Sequence, residues 1–122
     1  MKTALVCIAK NERYATEWVV MTGEDNYYVP SFVYNVSQAI TPGVNFIYCD
    51  MVHNWSSDQY LHVKTSPKTG NIDIGCCVYR TELAKKMRLD PSDVCADGRF
   101  AEQFVKNFGG VTKITKTLYV HN

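Results

Sequence analysis

Val44-Asn45-Phe46-Ile47-Tyr48-Cys49 sets mostly apolar residues side by side with no regular polar alternation, and Asp50 follows directly. A short run of this kind between turn residues is the pattern of a strand buried on both faces, in a sheet covered by helices. On the upstream side Pro42-Gly43 closes a segment in which Phe32, Val33, Val36 and Ile40 recur at helical spacing after Pro30, so an amphipathic helix delivers the chain to this strand. Further back, Trp18-Val19-Val20-Met21-Thr22 is rich in β-formers up to Gly23, although Tyr14 to Val20 could instead open as a short helix. Thr3 to Ala9 is another apolar run without alternation and reads as the central strand.

On the downstream side, His53 to Asn71 is polar with scattered aromatics, and Ser66-Pro67-Lys68-Thr69-Gly70 is turn chemistry, which predicts a long excursion holding one hairpin. Ile72-Asp73-Ile74-Gly75 then leads into a short strand at Cys76 to Tyr79, and Thr81 to Met87 reads as a capped helix. A stronger helix follows Asp97: Phe100, Phe104, Val105 and Phe108 share one face and Gly109-Gly110 ends it. Val111 to Val120 alternates apolar residues with Lys and Thr, as a half-exposed strand near an edge does. Together these elements predict one α/β domain over residues 1–122, an open, mainly parallel sheet flanked by helices, with ligands at the carboxyl ends of its strands.

With 122 residues and 46% hydrophobic content, the chain can bury one core. Lys and Arg number 13 against 12 Asp and Glu, without blocks of like charge, which argues against a nucleic-acid footprint or a polybasic membrane anchor. Cys7, Cys49, Cys76, Cys77 and Cys95 are odd in number, form no C-x-x-C pair and lie mostly in apolar runs. They read as reduced core thiols, and no apolar run suffices for a signal peptide or a membrane span, so a cytoplasmic location is expected. The absence of G-x-G-x-x-G, of a Gly-rich loop ending in Gly-Lys-Ser/Thr and of G-x-S-x-G removes support for dehydrogenase, P-loop and α/β-hydrolase chemistry.

Three polar clusters follow or interrupt apolar runs: Thr22-Gly23-Glu24-Asp25-Asn26, Asp50 and His121-Asn122. A carboxylate such as Asp25 past a buried strand can take Mg²⁺ or Mn²⁺ while the ion's other positions accept phosphate oxygens, although such a turn also serves as a plain loop or N-cap. An imidazole at His121 beside one carboxylate would suit Mn²⁺ or another borderline metal, and a solvated terminal histidine is the simpler alternative. His53 and His62 lack zinc spacing and read as surface residues. Asp97 before a helix could cap its free amides, stabilising it by about 1 kcal/mol, or could act as a general base on a hydroxyl.

Five segments in order carry a resemblance: Ala4-Leu5-Val6-Cys7-Ile8-Ala9-Lys10-Asn11-Glu12, Gly23-Glu24-Asp25-Asn26-Tyr27-Tyr28-Val29-Pro30, Ile72-Asp73-Ile74-Gly75, Ala96-Asp97-Gly98 and Leu118-Tyr119-Val120-His121-Asn122. From residue 3 to 122 the chain resembles a family 2 glycosyltransferase of the GT-A fold in a minimal, truncated form. The resemblance implies binding of UDP or a UDP-sugar with Mn²⁺ or Mg²⁺. Ile8, Ala9 and Lys10 would cradle the nucleoside, Glu24 or Asn26 would reach the ribose or the metal's waters, and Asp25 and His121 would hold the metal. Asp73 would lie near the donor sugar, and Asp97 would be the base of an inverting transfer to an acceptor that the sequence does not name.

Three departures bear on this expectation. Only about a dozen residues separate the first strand from the acidic turn, where the family has several strand and helix units, and Gly23 stands where the first acid of that turn belongs. The chain also stops at Asn122 without the segments that many members use to bind an acceptor or reach a membrane. A working transferase and a non-catalytic module that keeps only the UDP and metal half of the site are therefore both expected readings. Uncovered sheet edges add the expectation of a homodimer.

Overall fold

The computed structural model describes residues 17–55, 58–88 and 92–122. The expected strand from Thr3 to Ala9 and the Ile8-Ala9-Lys10 turn lie outside them. In chain order the elements are β1 (Trp18–Val20), β2 (Tyr27–Tyr28), α1 (Phe32–Ala39), β3 (Phe46–His53), β4 (Leu61–Val63), a 3-10 turn (Ile74–Cys76), β5 (Cys77–Arg80), α2 (Thr81–Ala84), α3 (Ala96–Phe108) and β6 (Val111–His121).

β3 organises the sheet. β6 runs parallel to it along one side, while the other side is shared by β5, against Phe46 to Tyr48, and β4, against Met51 to His53, both antiparallel. β1 continues the sheet beyond β5, and β2 pairs antiparallel with Tyr119 and Val120 of β6, giving the order β1-β5-β3-β6-β2 with β4 attached to β3. The sheet is thus mixed. Among the described strands only β3 and β6 are parallel, which corrects the expectation of a mainly parallel sheet. Parallel pairing needs a long crossover, usually helical, and the path from β3 to β6 contains α3, whereas β4 returns to β3 after a short loop.

β3 also runs further than its apolar core. It continues to His53, so Asp50 lies inside the strand and not past its end. The strand accommodates this carboxylate because Asp50 Oδ1 accepts from Thr65 N at 2.8 Å and pairs with Lys113 Nζ at 2.9 Å, while Thr65 Oγ1 donates to the Cys49 carbonyl at 2.7 Å. The register against β6 shifts on both sides of Asp50, as expected where extra residues bulge out of a ladder.

The core lies between the sheet and α3. Phe46, Ile47, Cys49, Ile74, Cys76, Cys77, Phe104 and Tyr119 are almost wholly buried. Phe104, from the face that the periodicity assigned to the core, puts its ring 5.3 Å from that of Phe46 and 5.7 Å from that of Tyr79. Burying one such side chain stabilises the fold by roughly 1.5–3 kcal/mol. Gly109, at φ 64°, ends α3 in the left-handed region, where glycine carries no steric penalty.

Among the described cysteines Cys49, Cys76 and Cys77 are buried and none is in a disulfide. Burial pushes the Cys76 and Cys77 thiols well above their ordinary range, so they are packing groups and not nucleophiles. α2 is shorter than expected and has no side-chain cap. Among the described residues no helix is long and apolar enough to cross a membrane.

Candidate functional site

The Ile72-Asp73-Ile74-Gly75 segment positions the first carboxylate. Asp73 precedes the 3-10 turn and its Oδ2 accepts from Gly75 N at 2.8 Å. Gly75 is packed beneath the Tyr119 ring so closely that a Cβ there would lie 2.2 Å from Tyr119 Cζ. Glycine is thus required by the close approach of the ring that locks the turn onto β6. Tyr28 tightens the same point by donating its hydroxyl to the Gly75 carbonyl at 2.7 Å.

Asp97 enters from α3. It lies in the first turn of the helix and not at the N-cap, which is Cys95, so the capping role is replaced by a tertiary one. Its Oδ2 accepts from Ile74 N at 3.0 Å. Two successive amides of one turn are thereby divided between Asp97 and Asp73, which brings the two carboxyls close to each other. Gly98 permits this approach, since a Cβ on it would meet Thr69 Cα at 2.5 Å.

Burial raises the Asp97 carboxyl to about 6; the Ile74 amide opposes the shift, the neighbouring Asp73 charge reinforces it and His121 opposes it. A carboxylate tuned in this direction is matched to proton transfer near neutral pH.

His121 closes the group from the end of β6. Its Nε2 lies 3.5 Å from Asp73 Oδ1, and its Nδ1 accepts from the indole Nε1 of Trp55 at 2.7 Å. Trp55 in turn stacks on His53, ring centroids 4.0 Å apart, and His53 is the register partner of His121. His53 is therefore half-buried within the site, a correction to its reading as a surface residue, whereas His62 is exposed as expected. A cavity of about 380 Å³ opens here, with Met51, Val63 and Ile72 as apolar lining, Trp55 on its wall, and Asp73 and Asp97 as its carboxylates.

The acidic turn is tied to the same place through the Asn26 side chain and the Asp25 carbonyl. Asn26 Nδ2 donates to the Tyr119 hydroxyl at 2.8 Å and Asn26 Oδ1 accepts from Asn122 N at 2.9 Å, while Asn122 Nδ2 donates to the Asp25 carbonyl at 2.6 Å. Thr22 Oγ1 also lies 3.0 Å from the Tyr119 hydroxyl, and Tyr60 donates to Asn122 Oδ1. Asp25 is thus held beside the residue that follows His121, and the side chains of Glu24 and Asp25 are exposed. Asp50 stands apart from this group in its pairing with Thr65 and Lys113.

The mixed sheet with its flanking helices has counterparts among solved structures. The chain superposes on S. aureus TarS 1-349 with a TM-score of 0.68 at 17% identity, over 96% of this chain and 38% of that one. For the same protein in complex with UDP the TM-score is 0.66, at 17% identity and the same coverages. The fold is the GT-A glycosyltransferase fold. The chain spans about 38% of the length of these GT-A neighbours, and no family model and no curated protein matches its sequence.

Within the GT-A frame, the structure brings Asp73, Asp97 and His121 together and places the backbone of Asp25 next to them. Among the described residues no group of three or more His, Cys, Asp or Glu side chains could by itself hold a metal ion. The donor types present, carboxylates and an imidazole, suit Mn²⁺ or Mg²⁺ where water or ligand oxygens complete the shell. Trp55 and His53 were missed because they sit in and before a loop without periodicity. The only available signal was a tryptophan in an otherwise polar stretch.

Proposed function

We propose that the protein binds UDP or a UDP-sugar and transfers the sugar with inversion, using Asp97 as the base. The observation that carries this reading is a carboxyl raised to about 6, beside a second carboxylate, in a cavity at the end of the sheet of a GT-A fold. The complex of a structural neighbour with UDP supports the choice of nucleotide. In the proposed reaction Asp73 accepts a hydrogen bond from a donor-sugar hydroxyl and orients the ring. Asp97 takes the proton of the acceptor hydroxyl as its oxygen attacks the anomeric carbon, and the bond from that carbon to the diphosphate breaks with its electrons leaving on UDP. No covalent intermediate forms.

Asp25 and His121 would hold Mn²⁺ or Mg²⁺, which when bound supplies charge neutralisation to the leaving diphosphate. Glu24 is assigned to the ribose, and Ile8, Ala9 and Lys10 to the nucleoside. Asp97→Asn keeps an acceptor for the Ile74 amide and removes the base, so it should bind UDP as the parent does and lose ~10²-fold or more in turnover of a UDP-sugar. Turnover equal to the parent's would end the assignment of Asp97.

One observation favours a second reading, a UDP-binding module without transfer. Asp97 is already engaged by the Ile74 amide and lies beside the Asp73 carboxyl, which restricts how its carboxylate can meet an acceptor. UDP binding without turnover across a panel of UDP-sugars would select it.

A further inference from the structure

The hydrogen bonding of His121 bears on how a cation could reach it. An indole N–H only donates, and Trp55 Nε1 lies 2.7 Å from His121 Nδ1. That nitrogen must therefore present its lone pair, and in the neutral ring the proton resides on Nε2, which faces Asp73 Oδ1 at 3.5 Å. A cation on Nε2 requires the proton on Nδ1, where the indole hydrogen already points. A cation on Nδ1 would displace the indole outright. Neither nitrogen is open while the bond from Trp55 stands.

We infer that Trp55 is a positioning residue that latches His121, so that a divalent cation gains this imidazole only when the indole swings away. The inference rests on the reading of His121 as a metal ligand given above. Three features fit a latch and not a fixed core contact. Trp55 lies just past the end of β3 and is 57% exposed. Its closed position is held by stacking on His53 at 4.0 Å and by a long bond of 3.3 Å from its own amide to His53 Nδ1. It also forms part of the wall of the cavity that holds Asp73 and Asp97. Release of the indole would therefore open that wall at the moment the cation is taken up, coupling metal arrival to access for the sugar.

The test uses the whole chain and the metal alone. Nitrogen-15 NMR of the metal-free protein should show His121 bare at Nδ1 and protonated at Nε2. In a Trp18→Phe background Trp55 is the one remaining tryptophan, and Mg²⁺ should shift its emission to the red as the indole enters water. Free Mn²⁺ followed by electron paramagnetic resonance should report roughly three- to tenfold tighter binding to Trp55→Phe, which keeps the stack on His53 but lacks one donated hydrogen bond, and weaker binding to His121→Ala.

Equal or weaker Mn²⁺ binding by Trp55→Phe, binding by neither protein, or emission unchanged at saturating Mg²⁺ would overturn the latch. Because no nucleotide is used, failure of the chain to bind UDP would count against the proposed function and not be confused with these outcomes.

Discussion

At Asp97 the environment sets both chemistry and stability. Its carboxyl moves from an ordinary 3.8 to about 6 because it is buried, with the Asp73 charge adding to the effect. Between those values the folded chain keeps a proton that the unfolded chain has released, so stability falls as pH rises from about 4 to 6. Denaturant titrations at pH 4.5 and 7 should show this decline in the parent, and it should be reduced in Asp97→Asn. The proposed base is the carboxylate form, so on that proposal kcat/KM for a UDP-sugar should drop below pH of about 6, as a pH-rate profile would reveal.

The nearness of Asp73, Asp97 and His121 was legible in the sequence because each stands in a short segment that resembles the family, while their roles are proposals. Trp55 and His53 were not legible, since their role depends on the parallel register that sets His53 opposite His121. That pairing joins residues far apart in the chain and leaves no local periodicity.

The elements show where pattern reading succeeds. Helical spacing located α1 and α3 and the Phe104 face. Phe104→Ala should cost about 3–5 kcal/mol in urea unfolding, because the ring is fully buried against Phe46, Tyr79, Phe100 and Phe108. A cost under 1 kcal/mol would mean that α3 is not anchored there. Gly75→Ala should be destabilising by roughly 1–3 kcal/mol, since its methyl would collide with the Tyr119 ring, and Asp73 should shift with the turn. Periodicity could not show that Asp50 lies inside β3. A carboxylate in a buried strand is tolerated only because Lys113 and Thr65 reach it from elements distant in sequence.

For the whole molecule, alternation of strands and helices led to the α/β class, and the ordered segments led to the GT-A fold. The strand sense was harder to read, because the short strands β1, β2 and β4 take their direction from their partners and not from their own composition. Along Val111 to Thr117 the outer side of β6 pairs with no described strand, and an unpaired edge invites a second chain. If the expected homodimer forms across it, sedimentation at micromolar concentration should show a dimer, and a monomer alone would remove that expectation.

The central claim is a UDP site assembled where the acidic turn, Asp73 and His121 converge, and calorimetric titration of UDP with and without Mn²⁺ tests it most directly, on the parent chain and on Asp25→Ala. The account predicts binding that Mn²⁺ strengthens and that Asp25→Ala largely abolishes. Absence of UDP binding under every condition would contradict it and leave the GT-A likeness as one of fold alone.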